Sequence, residues 1–70
     1  MKISARNQLK GKIKSISEGS VNTEVVVELA PGVVITSIIT KSSAESMGLE
    51  VGKEAFAVVK ASNVMVGVDH

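Results

Sequence analysis

The chain has 70 residues and a formal net charge of +1, and 44% of its residues are hydrophobic. This length gives one domain with a small core. The apolar content is too high for a disordered chain. The low net charge excludes a strong electrostatic field that would attract nucleic acid or a membrane surface. With no cysteine and one histidine, His70, disulfides, thiolate metal sites and zinc-binding imidazole clusters are excluded. We therefore expect a single domain over residues 1–70 that buries further surface in a homo-oligomer.

The first half of the chain predicts three strands. Residues 10–16 place three lysines on one face and Ile13 with small residues on the other. Residues 21–29 alternate more clearly, with valine, threonine and leucine on one face. After Pro31-Gly32, which predicts a type II turn, residues 33–40 carry apolar side chains on both faces. Such a strand favours packing against another subunit.

The second half predicts a short helix and two more strands. Ser42 as N-cap and Glu45 three residues later form a predicted capping box, and Gly48 suits the left-handed position after a helix. Residues 54–60 and 64–68 are the fourth and fifth strands. The predicted fold class is all-β, a five-stranded Greek-key barrel like the oligonucleotide/oligosaccharide-binding (OB) fold, with the short helix between strands 3 and 4.

Two segments near opposite ends of the chain have the same chemistry. Ser4-Ala5-Arg6-Asn7 and Lys60-Ala61-Ser62 each place one cation beside small residues, a hydroxyl and lightly shielded backbone N–H groups, and neither contains a carboxylate. Such donors together form a receptor for a small oxyanion. We interpret these residues as one binding site.

The start of the predicted helix supplies a third group of donors. Thr40, Ser42 and Ser43 lie where free N–H groups and the helix dipole favour an anion. Taken singly, Arg6 is more often an ordinary surface arginine, Lys60 is unremarkable, and these three residues are most simply a helix start. The joint occurrence of all three groups favours anion binding.

The segment Ser4-Ala5-Arg6-Asn7-Gln8-Leu9-Lys10-Gly11, together with Val59-Lys60-Ala61-Ser62, resembles the molbindin (Mop) family of small molybdate-binding proteins. The related OB-fold domains of molybdate transporters and regulators are similar. The resemblance implies storage or buffering of molybdate or tungstate, hexamers with ligand held between subunits, and no organic cofactor. Matched residue by residue, the family's two binding motifs fall on residues 4–7 and 60–62. It also implies sites on a symmetry axis, for which Gly19, Ser20 and Val21 are the candidates.

Other functional classes remain as alternatives. The chain could be an oxyanion-sensing accessory domain of a transporter or regulator, although a chain of this length with its own start favours a free-standing protein. A nucleic-acid-binding module stacks bases on aromatic rings, and Phe56 is the sole aromatic residue. No nucleophile–base pair or acid–base set is visible, so we expect no catalytic residue and no enzyme. The polar start and the lack of a long apolar run predict a cytoplasmic protein without a membrane partner.

Overall fold

The computed structural model describes residues 1–69. This part of the chain forms one antiparallel sheet and one short α-helix. The strands are β1 (Asn7–Glu18), β2 (Asn22–Ala30), β3 (Val33–Thr40) and β4 (Glu54–Val59); α1 (Lys41–Ser46) lies between β3 and β4, and a 3-10 helix (Ala61–Asn63) follows β4. The strand order is β3-β2-β1-β4. The predicted all-β class, with its helix between the third and fourth strands, is confirmed.

β1 holds the sheet together because its two halves have different partners. The first half pairs with β4 and the second half with β2. The register with β2 shifts between Ile13 and Ser15, so Lys14 lies in a bulge. A bulge bends a strand and increases its twist, and the sheet curls here into a half-barrel. The simple alternation predicted for the first strand therefore fails beyond Lys14, and Ile16, rather than Ser15, packs against the core.

Gly11 allows β1 to approach β2 closely next to this bend. A Cβ atom at this position would lie 2.4 Å from the backbone oxygen of Glu28 and 2.9 Å from a side-chain carbon of Val27. A contact of 2.4 Å with backbone is too short for any side chain. The glycine is therefore a packing requirement of the curled sheet.

The concave face of the half-barrel carries the core. Ile13, Val25 and Val27 are buried there. Partly buried side chains surround them: Ile16, Leu29, Ile39, Leu49 and Ala55. The predicted inward face of the second strand is confirmed from Thr23 onward, but Val21 precedes β2 and is 69% exposed. Thr23 is fully buried, and its hydroxyl has no hydrogen-bond partner among residues 1–69.

Two predicted chain reversals are confirmed by backbone angles. Gly32 has φ of 77° in the turn between β2 and β3, as the second central residue of a type II turn requires. Gly48 has φ of 62° after α1, and its N–H donates to the backbone oxygen of Glu45 at 3.1 Å. Glycine adopts this left-handed conformation without the steric cost that a Cβ imposes.

The N-terminal cap of α1 differs from the prediction. Thr40, not Ser42, is the N-cap, and its Oγ1 accepts a hydrogen bond from the Ser43 N–H at 3.1 Å. The cap lies two residues earlier because β3 runs directly into α1, and Thr40 keeps an extended backbone with φ of −71° and ψ of 150°. The predicted capping box is therefore wrong, since Glu45 lies beyond the first turn of the helix.

The predicted fifth strand is also wrong. Residues 64–68 follow the 3-10 helix without pairing to any strand of the described chain. Their valine and methionine side chains are 50–93% exposed, so they lack the partner that a strand needs. The barrel of a single copy stays open, with β3 and β4 as its two edges. No helix found in residues 1–69 is long and apolar enough to cross a bilayer.

Candidate oxyanion-binding site

The register between β1 and β4 brings the two predicted binding motifs to the same end of the sheet. Asn7 and Val59 are the last paired residues at that end. Residues 4–6 immediately precede Asn7, and residues 60–62 immediately follow Val59, so the two motifs leave neighbouring strands side by side. We call this the open end of the sheet, defined by residues 4–7 and 60–62.

The backbone at the open end is shaped by local hydrogen bonds. The Gln8 side-chain amide donates to the backbone oxygen of Ala5 at 2.8 Å. This hydrogen bond joins the segment before β1 to the start of the strand. On the other strand, Lys60 keeps an extended backbone, and its carbonyl accepts from the Asn63 N–H at 2.9 Å. The first N–H groups of a helical turn have no acceptor within the turn, so those of Ala61 and Ser62 are available to a ligand.

Gln8 was not among the predicted site residues. It lies within the Ser4–Gly11 segment that carries the family resemblance, but its side chain binds the chain's own backbone rather than offering a donor to a ligand. The sequence does not predict this contact, because an exposed glutamine side chain can adopt many conformations. We assign it the role of shaping the loop that presents Arg6.

Within residues 1–69, no carboxylate pairs with the cations at the open end. The salt bridges of the described chain join Lys10 to Glu54 at 3.3 Å, Lys14 to Glu28 at 3.9 Å and Lys53 to Glu50 at 2.6 Å. Neither Arg6 nor Lys60 belongs to one of these pairs, and both are exposed. A guanidinium and an ammonium therefore lie on adjacent strand ends with hydroxyls from Ser4 and Ser62 nearby in sequence.

The third predicted group lies at the other end of the sheet. Thr40 pairs with Asn22 at the start of β2, and β2 in turn begins beside the end of β1. β1 is 12 residues long, so the two ends are about 35 Å apart along this strand. One chain therefore does not bring Thr40, Ser42 and Ser43 to the open end. We call their location the helix end.

The hydroxyls of the helix end contact one another. Thr40 Oγ1 and Ser43 Oγ are 2.7 Å apart, and Thr40 Oγ1 and Ser42 Oγ are 3.4 Å apart. The turn between β1 and β2, with the candidate residues Gly19, Ser20 and Val21, lies next to them, because the Lys41 N–H donates to the Val21 carbonyl at 2.8 Å. The helix end thus gathers short polar groups, but it lacks the paired cations of the open end.

Another concave surface of the described chain lies along the middle of β1. A groove of about 330 Å³ is lined mainly by charged and small residues: Lys10, Gly11, Lys12, Glu28, Leu29, Ala30, Pro31 and Glu54. Its lysines are accompanied by glutamates, with Lys10 bonded to Glu54. This groove offers a dianion little net charge. The unpaired cations of the open end suit an oxyanion better than this groove does.

Comparison with known proteins shows the family to which the whole chain is similar. Residues 3–66 match the TOBE domain. A probable molybdenum-pterin-binding protein of Haemophilus influenzae is 54% identical over 69 residues, which are 99% of this chain and 100% of that protein.

Two solved structures share the fold. MopII of Clostridium pasteurianum is 51% identical with a TM-score of 0.89, covering 96% of this chain and 100% of that one. The cytoplasmic molybdate-binding protein ModG, solved with molybdate bound, is 48% identical with a TM-score of 0.91, and 99% of this chain corresponds to 49% of ModG. The predicted OB-fold-like architecture is confirmed by these likenesses.

Proposed function

The chain belongs to the TOBE domain family, among the molybdenum-pterin-binding (Mop) proteins, and from this premise we propose that it binds molybdate and stores it. One observation carries the proposal for the site: the Asn7–Val59 pairing sets Arg6 and Lys60 on neighbouring strand ends, with hydroxyls and amides beside them. The proposed ligand residues are those of both ends of the sheet: Ser4, Ala5, Arg6, Asn7, Thr40, Ser42, Ser43, Lys60, Ala61 and Ser62.

The donor set suits an unprotonated dianion. Two cations offset its charge, and the N–H and O–H groups donate to its oxygens, each charge-assisted bond contributing about 1.5–3 kcal/mol. Hydrogen phosphate carries a proton, and the open end has no carboxylate to accept a hydrogen bond from it. Sulfate has no such proton, so only its shorter bonds to oxygen distinguish it from molybdate. Tungstate is nearly the size of molybdate, and we expect the two to bind alike.

We propose that the working unit is a homo-oligomer, a hexamer with ligand held between subunits. Two observations support it. The buried hydrophobic core of the described chain is small, consisting of Ile13, Val25, Val27 and Ala44, while Val34 and Ile38 on β3 remain 42% and 61% exposed. The helix end lies at the opposite end of β1 from the open end, about 35 Å along the strand, so we infer that its hydroxyls reach an anion at the open end from a second copy.

Binding and storage in the cytoplasm, without catalysis, is the proposed role. The relatives compared above are named as binding proteins, and residues 1–69 contain no cluster of histidine and carboxylate side chains that could hold a metal ion. The second candidate is an oxyanion-sensing domain of a longer protein. ModG favours it, because this fold occurs there as about half of a longer chain.

A pterin is the competing ligand, since several relatives are named for it. Pterins are flat rings that stack on aromatic or apolar surfaces. Phe56, the sole aromatic residue, lies on β4 opposite Lys10 and is 45% exposed. The open end offers charge and hydrogen-bond donors rather than a flat apolar slot, so we assign it to the oxyanion.

Titration calorimetry with molybdate tests the proposed function. We expect saturable binding, equal binding of tungstate, and no displacement of bound molybdate by an equal concentration of sulfate. Displacement by sulfate would show that the site recognises charge alone. A pterin without molybdenum is the parallel titrant, and its binding in place of molybdate would contradict the assignment of the ligand.

A further inference from the structure

Gln8 is an exposed residue of β1 whose side chain has a fixed partner. Its amide donates to the Ala5 carbonyl oxygen at 2.8 Å, so the side chain reaches back over Arg6 and Asn7. Apart from the salt bridges, the other side-chain hydrogen bonds of residues 1–69 all lie at the helix end. The open end therefore has one such bond, and it acts on the segment that carries Arg6.

The Gln8 side chain lies on the outer face of the sheet, away from the core. Side chains alternate between the two faces of a strand, and the register of β1 with β4 is unbroken over residues 7–12. Since Ile13 lies in the core on the concave face, Gln8 lies on the opposite one, where Val58 of β4 is its neighbour. The bond therefore turns the Ala5 carbonyl towards the outer face.

One peptide group joins this carbonyl to the next N–H. The Ala5 carbonyl and the Arg6 N–H share a planar trans peptide bond, so they point in opposite directions. While Gln8 holds the carbonyl on one side, the Arg6 N–H is directed to the other side. That N–H has no hydrogen-bond acceptor within residues 1–69. The Gln8 bond therefore fixes the direction of an unpaired donor next to the Arg6 guanidinium.

We propose that Gln8 is a positioning residue of the oxyanion site and that it determines the discrimination between molybdate and sulfate; the inference rests on the proposed function. Gln8 does two things for the same ligand. It keeps the lone pairs of the Ala5 carbonyl, which would repel a dianion, occupied and turned away. It also holds the Arg6 N–H in one direction before the ligand arrives, so less ordering is needed on binding.

The discrimination follows because size is the property by which the two anions differ. Molybdate and sulfate have the same charge and no proton, and the sulfur–oxygen bonds are the shorter ones. A donor held in place for a molybdate oxygen lies too far from a sulfate oxygen, whereas a segment that is free to turn adjusts to either anion. Loss of the Gln8 bond should therefore weaken molybdate binding more than sulfate binding.

Gln8→Met tests the proposal, because methionine has a similar length but no N–H donor. Calorimetry with molybdate, and displacement of the bound molybdate by sulfate, give both affinities. We expect the variant to bind molybdate about fivefold more weakly, the scale of one neutral hydrogen bond, and sulfate within about twofold of the parent chain. Tungstate binding should weaken by the same factor as molybdate binding. Circular dichroism should be unchanged, because Gln8 is exposed.

Val58→Met is the matched control. It places a methionine on the same outer face, at the strand position opposite Gln8, and leaves the bond to Ala5 in place. We expect both of its affinities to match those of the parent. Three results would overturn the proposal: Gln8→Met titrates like the parent, it loses affinity for both anions equally, or Val58→Met behaves as Gln8→Met does. An equal loss would mean that Gln8 donates to any anion.

The Arg6 amide proton gives a separate measurement. In nitrogen-resolved NMR spectra we expect molybdate to move this proton downfield in the parent and in Val58→Met, and to move it less in Gln8→Met. An unresponsive Arg6 amide in a parent that binds molybdate would overturn the proposal and leave the proposed function intact, as would an equal movement in Gln8→Met. Failure of the parent to bind molybdate in calorimetry would overturn the proposed function, and this inference with it.

Discussion

The two ends of β1 differ in what their residues do. Towards the helix end, β1 packs with β2 around Ile13, Val25 and Val27, and the burial of these side chains stabilises this half of the strand. At the open end, β1 pairs with β4 alone, and charged or small residues continue into solvent. The bulge at Lys14 lies within the packed half, directly after Ile13. The comparison indicates that this chain stabilises itself with one half of its longest strand and presents its binding groups on the other.

The largest effect on stability is expected at the packed half. Ile13→Ala removes a side chain that is 2% exposed at the centre of the core, and we expect it to lower the free energy of unfolding by about 2–5 kcal/mol. Val21→Ala is the control, because Val21 is 69% exposed, and it should cost less than about 0.5 kcal/mol. Urea denaturation followed by circular dichroism measures both. Equal costs would show that the core has been placed wrongly.

The open end should show the opposite behaviour, with loss of binding and little loss of stability. Arg6→Ala and Lys60→Ala each remove an exposed cation and should weaken molybdate binding tenfold or more, since a charge-assisted hydrogen bond is worth about 1.5–3 kcal/mol. Arg6→Lys should not restore full affinity, because an ammonium does not reproduce the directed donors of a guanidinium.

Lys53→Ala is the matched control for these variants. It also removes an exposed lysine, but one that is bonded to Glu50 in the loop before β4. We expect its calorimetric titration with molybdate to match that of the parent chain. If Lys53→Ala weakened binding as much as Lys60→Ala, net charge rather than a defined site would explain the affinity.

Variants of Thr40 and Ser42 test whether the helix end and the open end bind the same ligand. Thr40→Ala removes the N-cap of α1 and should cost about 1 kcal/mol of stability. Ser42→Ala removes a hydroxyl that caps nothing, so stability should be unchanged while molybdate affinity falls if a second copy brings the helix end to the open end. Thermal unfolding and calorimetry on the two variants separate these contributions. Unchanged affinity in both would confine the site to the open end.

The smallest expected effect is a gain of stability. Thr23 is fully buried, and its hydroxyl lacks a hydrogen-bond partner within the described chain. Thr23→Val replaces that hydroxyl with a methyl group of similar volume, and we expect the free energy of unfolding to rise by about 1 kcal/mol. Urea denaturation measures the change. A loss of stability would mean that the hydroxyl has a partner in the assembled protein.

Local patterns predicted most of the elements. β3 was predicted with the bounds that the structure shows, because its residues lie between a Pro31-Gly32 turn and a helix start. Gly32 and Gly48 were identified from their chemistry alone. The errors lie where pairing with a second segment determines the local structure. The bulge at Lys14 depends on the register with β2, and the N-cap at Thr40 depends on where β3 stops pairing.

The candidate site divides in the same way. Sequence by itself determined the donors: the cations Arg6 and Lys60, the hydroxyls near them and the absence of carboxylates are properties of residue type at fixed positions. Only the tertiary structure decided which of these groups meet. The β1–β4 register joins residues 4–7 to residues 60–62, and the length of β1 separates both from Thr40. The physical reason is that strand pairing between distant segments is fixed by the packing of whole faces, which no local pattern contains.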